Sequence, residues 1–324
     1  MRRLYQLDVL RGIAAAIVVF HHILLTLSPD ADPARSWPAL AYVSIGRTQV
    51  LLFFVLSGYV LTRSLEHQTY RVYAIRRVFR LGIPFIASLL FALALRYAVH
   101  PHPLEDQSRW FNEQWQNTLT FKGFMAHILM RGHWADASLN SVLWSLWYEM
   151  RISLVLPLMV MFARWSPQLA TAAFAALALI AAKMLEPHPL YSYDLMQTVW
   201  VTAYFVLPFA TGMALALSRP QSLPGWLWPL AIVLLASPSD LQVCVGSAIL
   251  IGLAIDQGEW LLSKPLLWLG KVSFSLYLFH MPIMMAMVYV MHDVLPDWLT
   301  MLIAVPTIMI FSQFAYVVVE RPSI

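Results

Sequence analysis

The sequence is a succession of long apolar runs, most of them close to the length that a helix needs to cross a membrane. A transmembrane helix takes about 20 predominantly apolar residues, and we count ten candidate spans. They cover approximately residues 8–28, 40–62, 76–98, 142–163, 168–185, 193–217, 226–238, 240–256, 266–291 and 297–318. Of the 324 residues, 60% are hydrophobic and only 12% are charged, which is unlike a soluble protein. The sequence therefore predicts an all-α polytopic membrane protein.

The seventh and eighth candidate spans are shorter than most of the others, and the polar tetrapeptide at 237–240 separates them. They form either a hairpin of two thin helices or a re-entrant element. The longest segment outside the spans is 99–141, in which residues 121–130 are predicted to form an amphipathic interfacial helix or a half-span. Because no internal repeat, low-complexity tract or soluble domain is visible, we expect a single transmembrane domain over residues 1–324.

The positions of the basic residues predict the orientation of the chain. Cytoplasmic loops of membrane proteins carry an excess of Lys and Arg near the helix ends. An even number of spans places both termini on one side, and most of the 21 Lys and Arg residues fall on that side. Both termini are therefore predicted to be cytoplasmic.

The charge and the cysteine content exclude several classes of function. The formal net charge is only +4 and the basic residues come singly or in one short cluster, so we expect no nucleic-acid partner. Cys244 is the only cysteine, which excludes an internal disulfide and a cysteine-rich metal site. His100 and His102 are a weak metal signal that loop composition explains, and we predict no metal site.

Arg11 and His22 both lie in the first apolar run, where an ionisable residue is costly and its default interpretation is functional. Eleven residues at about 100° each return to nearly the same helix face, and they span roughly 16 Å. We therefore expect Arg11 near one membrane surface and His22 in line with it at depth. This spacing predicts an anion-binding mouth that leads to a base. Asp8, three residues before Arg11, is expected to hold Arg11 in an ion pair or to compete with an anionic ligand.

Two more titratable residues are predicted at the depth of His22. His22 and His280 each lie 14 residues into a span that enters from the cytoplasm, which is about 21 Å from that surface. Glu149 lies about 20 Å from the same surface. Three spans thus contribute one residue each to a predicted shared site. The structural alternatives are that the histidines only link helices by hydrogen bonds, and that Glu149 only pairs with Arg151 or another cation.

A cluster of arginines, Arg76, Arg77 and Arg80, opens the third span. Arg77 and Arg80 share one helix face as i,i+3 neighbours. A cytoplasmic anchor explains several arginines at such a position. The functional alternative is a phosphate clamp, because guanidinium groups bind phosphate through paired charge-assisted hydrogen bonds. With Arg11 on the same side, the cluster is suited to the pyrophosphate and 3′-phosphate of coenzyme A.

Six short motifs, in the same order along residues 7–322, resemble those of the bacterial membrane acyltransferase family 3. They are R-x10-H at 11–22, F-F-x-x-S-G at 53–58, R-x-x-R at 77–80, W-S-L-x-x-E at 144–149, L-G-x-x-S-F-S-L-Y-L-x-H-x-P at 269–282 and E-R-P at 320–322. The fourth-span motif departs from the E-E-Q-F-Y-L common in the family, because this chain has the single acid Glu149 and adds Arg151.

The resemblance implies an integral O-acyltransferase of the bacterial inner membrane. The implied donor is cytoplasmic acyl-CoA, with acetyl as the expected acyl group, and it is a co-substrate rather than a tightly bound cofactor. The implied acceptor is a hydroxyl of a surface glycan or a lipid-linked saccharide, in exopolysaccharide, lipopolysaccharide O-antigen or peptidoglycan. Membrane lipid and proteins of polysaccharide export are the other expected partners.

This interpretation gives each candidate residue a role. The expected donor-binding residues are Arg76, Arg77, Arg80 and Ser57. The expected catalytic residues are His22, Arg11, Glu149 and His280. His22 is the general base for the acceptor hydroxyl, Glu149 or His280 orients it, and Ser57 assists in stabilising the oxyanion.

Two other classes of function use the same residues. A proton-coupled transporter or flippase of a polysaccharide precursor would carry its protons on these His and Glu side chains. An accessory component of a polysaccharide-export complex would have no activity when it is expressed alone.

Overall fold

The computed structural model describes residues 4–28, 36, 46–66, 68–115, 120–131, 139–185, 194–218 and 222–323. The regular elements in these ranges are all helices, nine of them long and apolar enough to cross a membrane. The prediction of an all-α polytopic membrane protein is therefore confirmed. The start of the predicted second span and parts of the predicted segment 99–141 lie outside the described residues.

The α-helices are numbered here in chain order. They are α1 (Tyr5–Leu27), α2 (Gly46–Leu65), α3 (Tyr70–Val99), α4 (Arg109–Glu113), α5 (Phe121–Ile128), α6 (Trp144–Trp165), α7 (Pro167–Met184), α8 (Leu195–Tyr204), α9 (Val206–Ser218), α10 (Leu227–Leu235), α11 (Asp240–Gln257), α12 (Lys264–Met291) and α13 (Asp297–Ala315). A 3₁₀ turn, Ser141–Leu143, leads into α6, and α13 continues into a π-helical turn, Tyr316–Glu320.

The seventh candidate span, 226–238, is a short helix in the structure. Its nine residues in α10 rise only about 14 Å, less than half of the hydrocarbon thickness. The polar residues at 237–240 end the apolar run, and α11 then begins at Asp240. Gly246 of α11 lies against Ala231 and Leu234 of α10. Of the two alternatives for this region, the structure has the hairpin, with one short and one long helix.

Glycines bring two pairs of helices into backbone contact. A Cβ atom at Gly12 of α1 would lie 2.6 Å from the backbone nitrogen of Gly270 in α12. A Cβ atom at Gly212 of α9 would meet the carbonyl oxygen of Val55 in α2. In a bilayer no hydrophobic force drives helices together, so they associate through close packing, which small residues at the crossing allow. The α1–α12 crossing fixes the relative height of the two helices.

The described start and end of the chain lie at the same end of the bundle. The carboxylate of Glu320 accepts a hydrogen bond from the backbone N–H of Ser275 in α12. Five residues earlier in α12, Gly270 packs against the backbone of Asp8 near the start of α1. We call this end of the bundle the proximal end and the opposite end the distal end.

Residues 107–115, between α3 and α6, pack over the distal end of α12. Phe111 of α4 and Trp115 are buried there, and the rings of Trp115 and Tyr289 stack. Gln107 donates a hydrogen bond to Asp297 at the start of α13. Helix α5 forms within the predicted 121–130 helix, and Arg151 of α6 donates to backbone carbonyl oxygens just after it. The contacts of Phe111 and Trp115 hold α4 over the bundle interior.

Candidate functional site

Two histidine side chains meet in the distal half of the bundle. Nδ1 of His22, from α1, lies 3.0 Å from Nε2 of His280, from α12. His280 is completely buried, whereas His22 is partly exposed. The indole of Trp110 stacks on the His22 ring with 5.9 Å between centroids. The two histidines that sequence counting placed at one depth are therefore in direct contact.

The hydrogen-bond partners of the pair determine which nitrogen carries each proton when both rings are neutral. Nδ1 of His280 lies 3.0 Å from the carbonyl oxygen of Leu276, and a carbonyl oxygen only accepts. His280 therefore carries its proton on Nδ1 and accepts on Nε2. His22 must then donate from Nδ1, which leaves the lone pair on its Nε2 without a partner in this pair. The pair thus presents one basic nitrogen, Nε2 of His22.

A pocket lined by α1, α2, α3, α6 and α12 opens at the proximal ends of α1 and α12, and neither His22 nor His280 is among its lining residues. Tyr277, almost one turn before His280 on α12, lies at its deep end, with the two rings 6.2 Å apart. Its charged lining residues are Asp8, Arg11, Arg77, Arg80, Glu149, Lys271 and Glu320. Four cations thus face three carboxylates, which makes the lining suitable for an anion.

Glu149 is held by partners other than the histidines. Its Oε1 accepts a hydrogen bond from Arg77 Nη2 at 2.5 Å and another from the Ser57 hydroxyl at 2.8 Å. Nε of the largely buried Arg77 donates to the hydroxyl oxygen of Ser153 at 3.0 Å. Of the two residues expected to orient His22, the structure therefore places only His280 in contact with it. The contacts of Glu149 match its structural alternative, with Arg77 as the cation.

The three other predicted basic residues differ in where their charges lie. Arg80 lines the pocket near Arg11 and Glu320, and it makes no ion pair within 4 Å with the described part of the chain. Arg11 also lines the pocket, and its ion pair with Asp8 is long, at 3.9 Å. Arg76 lies outside the pocket lining, exposed, and donates to Gln68 at 3.4 Å. The structure thus brings Arg11 and Arg80 together and leaves Arg76 apart.

Glu320 is a site residue that sequence reasoning did not place. The E-R-P motif was visible in the sequence, but it indicated neither the depth of Glu320 in the bundle nor its hydrogen-bond partner. In the structure Glu320 is buried, and Oε2 accepts from both the backbone N–H and the hydroxyl of Ser275. Its charge then faces Arg80 and Arg11. Ser145 was also missed: its hydroxyl lies 2.8 Å from that of Tyr277 at the deep end of the pocket.

The site combines a cation-lined pocket with a basic nitrogen, His22 Nε2, that lies beyond the deep end of the pocket. Cations at the proximal end can hold phosphate groups, and an imidazole beyond the deep end can accept a proton or attack a carbonyl carbon. Among the described residues, no three His, Cys, Asp or Glu side chains are grouped in a way that could hold a metal ion. Acid–base and nucleophilic chemistry are within reach of the imidazole itself.

Comparison with known proteins identifies the family of the chain. No curated protein and no solved structure matches the chain. The sequence profile of the acyltransferase domain matches residues 4–317, nearly the whole chain. This match confirms the resemblance drawn from the six motifs, and the chain belongs to acyltransferase family 3.

Proposed function

We propose that the protein transfers an acyl group, acetyl in the simplest case, from cytoplasmic acyl-CoA to a hydroxyl of a surface glycan or a lipid-linked saccharide. The observation that carries the proposal is the position of His22. Its pair with His280 lies just beyond the deep end of a pocket whose other end is lined by cations. A donor with phosphates at one end and a thioester at the other fits this distribution of charge.

The donor phosphates are bound at the proximal end by Arg80 and Arg11. Arg80 is the stronger candidate of the two for binding phosphate, because its guanidinium lines the pocket without an ion pair to a described carboxylate. The pantetheine arm then extends along α12, past Tyr277, and presents the thioester to His22. Arg76, which lies outside the lining, serves as a basic anchor of the helix end in this proposal.

In the transfer step, His22 Nε2 takes the proton of the acceptor hydroxyl while that oxygen attacks the thioester carbonyl. The new C–O bond forms, the C–S bond breaks, and the proton on His22 passes to the departing coenzyme A thiolate. His280 fixes the reactive tautomer by accepting from His22 Nδ1–H and stabilises the charged ring that forms. A general base of this kind contributes about 10²–10⁴-fold to the rate.

Glu149 and Ser57 act on the donor side in this proposal. The Ser57 hydroxyl donates its proton to Glu149, so that this proton is not offered to an oxyanion. Glu149 in turn neutralises Arg77 and holds it beside Ser153. This network forms part of the pocket wall. It also fixes the orientation of the Arg77 guanidinium, and therefore of the N–H groups that Glu149 and Ser153 do not use.

The proposed location is the bacterial inner membrane, with the proximal end and both termini in the cytoplasm. The excess of basic residues on that side supports this orientation. The acceptor then approaches from the distal side, where Trp110 covers the His22 ring. Membrane lipid and, in a polysaccharide pathway, export proteins are the proposed neighbours.

The test is acyl transfer by the purified protein in lipid nanodiscs. We expect label from radiolabelled acetyl-CoA to enter a glycan acceptor, with stoichiometric release of coenzyme A. His22→Ala should lower the transfer rate at least about 100-fold. His292→Gln, a histidine at the distal surface outside the pocket lining, is the control and should keep the rate.

Two results would contradict the proposal. Vectorial movement of a saccharide precursor without any label transfer would identify a transporter. Full transfer by the His22→Ala variant would remove the imidazole from the chemistry.

A further inference from the structure

The proximal mouth of the pocket has a cation that the donor clamp does not include. Lys271 of α12 lines the pocket, and its ammonium lies 5.0 Å from the ring centroid of Tyr316, another lining residue. Tyr316 begins the π-helical turn Tyr316–Glu320, an element that is rare and often found at functional sites. Two separate helices thus place a paired cation and aromatic ring at one point of the mouth.

The backbone beside Lys271 is fixed, whereas its charge is available. Its neighbour Gly270 packs so closely that an added Cβ atom would lie 2.5 Å from the carbonyl oxygen of Asp8. Over the part of the chain that the structure describes, the Lys271 ammonium has no ion pair with a carboxylate within 4 Å, and its side chain is exposed. A cation–π contact directs an ammonium without neutralising it. Lys271 is therefore a directed point charge, which is how lysine binds phosphate.

Lys271 also lies farther from the reaction centre than Arg80 does. It precedes His280 by nine residues, about 14 Å along α12. Arg80 faces Glu320, which is bound to Ser275, one turn closer to His280. A donor with its thioester at His22 and its pyrophosphate at Arg80 has its nucleotide end at the mouth. On that end, the 3′-phosphate is the remaining anion.

We propose that Lys271 binds the 3′-phosphate of acyl-CoA and that Tyr316 is the positioning residue that holds its ammonium toward the pocket. The inference rests on the proposed acyl-CoA function and adds a donor subsite to it. It assigns specificity for the phosphorylated nucleotide to the Lys271–Tyr316 pair, which is distinct from the arginine residues that hold the rest of the donor.

The experiment compares kcat/KM for acetyl-CoA with kcat/KM for acetyl-3′-dephospho-CoA in nanodiscs. The wild type should prefer acetyl-CoA by about 10-fold or more, as expected for a hydrogen bond to a charged group. Lys271→Gln should bring the ratio close to one by lowering the value for acetyl-CoA alone. Lys271→Arg should keep most of the preference.

Variants at Tyr316 test the positioning role. Tyr316→Phe keeps the aromatic face and should keep the preference, whereas Tyr316→Leu should reduce it. Adding Lys271→Gln to Tyr316→Leu should remove only the preference that is left. Lys264→Gln is the matched control, since Lys264 begins the same helix but does not line the pocket, and it should leave the ratio unchanged.

The outcomes separate this inference from the function on which it rests. Wild-type transfer with an unchanged ratio in Lys271→Gln overturns the subsite and keeps the acyltransferase. The subsite is also overturned if Lys271→Gln lowers kcat/KM equally for acetyl-CoA and acetyl-3′-dephospho-CoA. The same holds if the variant leaves the ratio of these two donors unchanged and lowers only the preference for them over acetyl-4′-phosphopantetheine, because the contact is then with the pyrophosphate. A wild type that uses no coenzyme A thioester overturns both proposals.

Discussion

The proximal and distal halves of the α1–α12 interface differ in the polar groups that they contain. The proximal half carries Asp8, Arg11 and Lys271, all lining the pocket. The distal half carries the His22–His280 pair, with buried apolar neighbours such as Val18. The close backbone crossing of the two helices lies beside the proximal charges.

The difference follows from the cost of burying charge. A permanent charge away from water is expensive unless it is paired, whereas an imidazole can sit at depth as a hydrogen-bonded neutral group. At the α1–α12 interface, the permanent charges lie in the proximal half, where water or a phosphate can reach them. At depth the chain uses a group that can accept a proton for the duration of a reaction and then release it.

The largest effect is expected from removing one partner of the Arg77–Glu149 ion pair in the pocket wall. Glu149→Leu leaves the buried Arg77 guanidinium without its carboxylate, and we expect a loss of about 3–5 kcal/mol in stability. Thermal unfolding in detergent, followed by tryptophan fluorescence, measures this. Glu149→Leu combined with Arg77→Met should recover much of the loss, and a double variant as unstable as the single one would show that the pair does not behave as a buried ion pair.

A smaller effect is expected in the distal half, and it should appear in the rate. His280→Leu removes the acceptor of the His22 Nδ1–H, so we expect kcat to fall about 100-fold with little change in donor KM. His280→Gln, whose amide oxygen can accept the same hydrogen bond, should recover part of the rate. Equal rates in the Leu and Gln variants would contradict the tautomer assignment.

The smallest effect should distinguish two arginines of the same cluster. Arg80→Gln is expected to raise the donor KM about tenfold, because a charge-assisted bond to phosphate is lost. Arg76→Gln removes the same charge four residues earlier, outside the pocket lining, and should leave KM unchanged. Equal donor KM values for the two variants would indicate that both arginines are only anchors.

Much of the fold was predictable because hydrophobic length is a direct property of the sequence. Counting residues along alternating spans also placed His22 and His280 at one level, and the structure shows them in contact. The same count placed Glu149 at that level, but depth does not determine the direction in which a side chain points. The rotation of α6 against α2 and α3 directs Glu149 to Ser57 and Arg77 instead.

The mouth of the pocket was harder to predict. Lys271 and Glu320 lie near helix ends, where basic and polar residues are common in every membrane protein. Arg76 and Arg80 were grouped because they are close in sequence, although only Arg80 faces the pocket. Which of these two arginines faces the pocket depends on how α3 packs against α12, and that packing cannot be derived from the local sequence.

The short helix α10 also affects the lipid around the protein. Its outward side chains, among them Ile232 and Val233, give an apolar surface only about 14 Å high, next to a bilayer core of about 30 Å. The membrane beside this face has to become thinner, or the apolar parts of the flanking turns have to extend the surface. Hydrophobic mismatch of this kind costs a fraction of a kcal/mol per ångström, so we expect the bilayer to be thinner beside α10 than around the nine full-length spans that the structure describes.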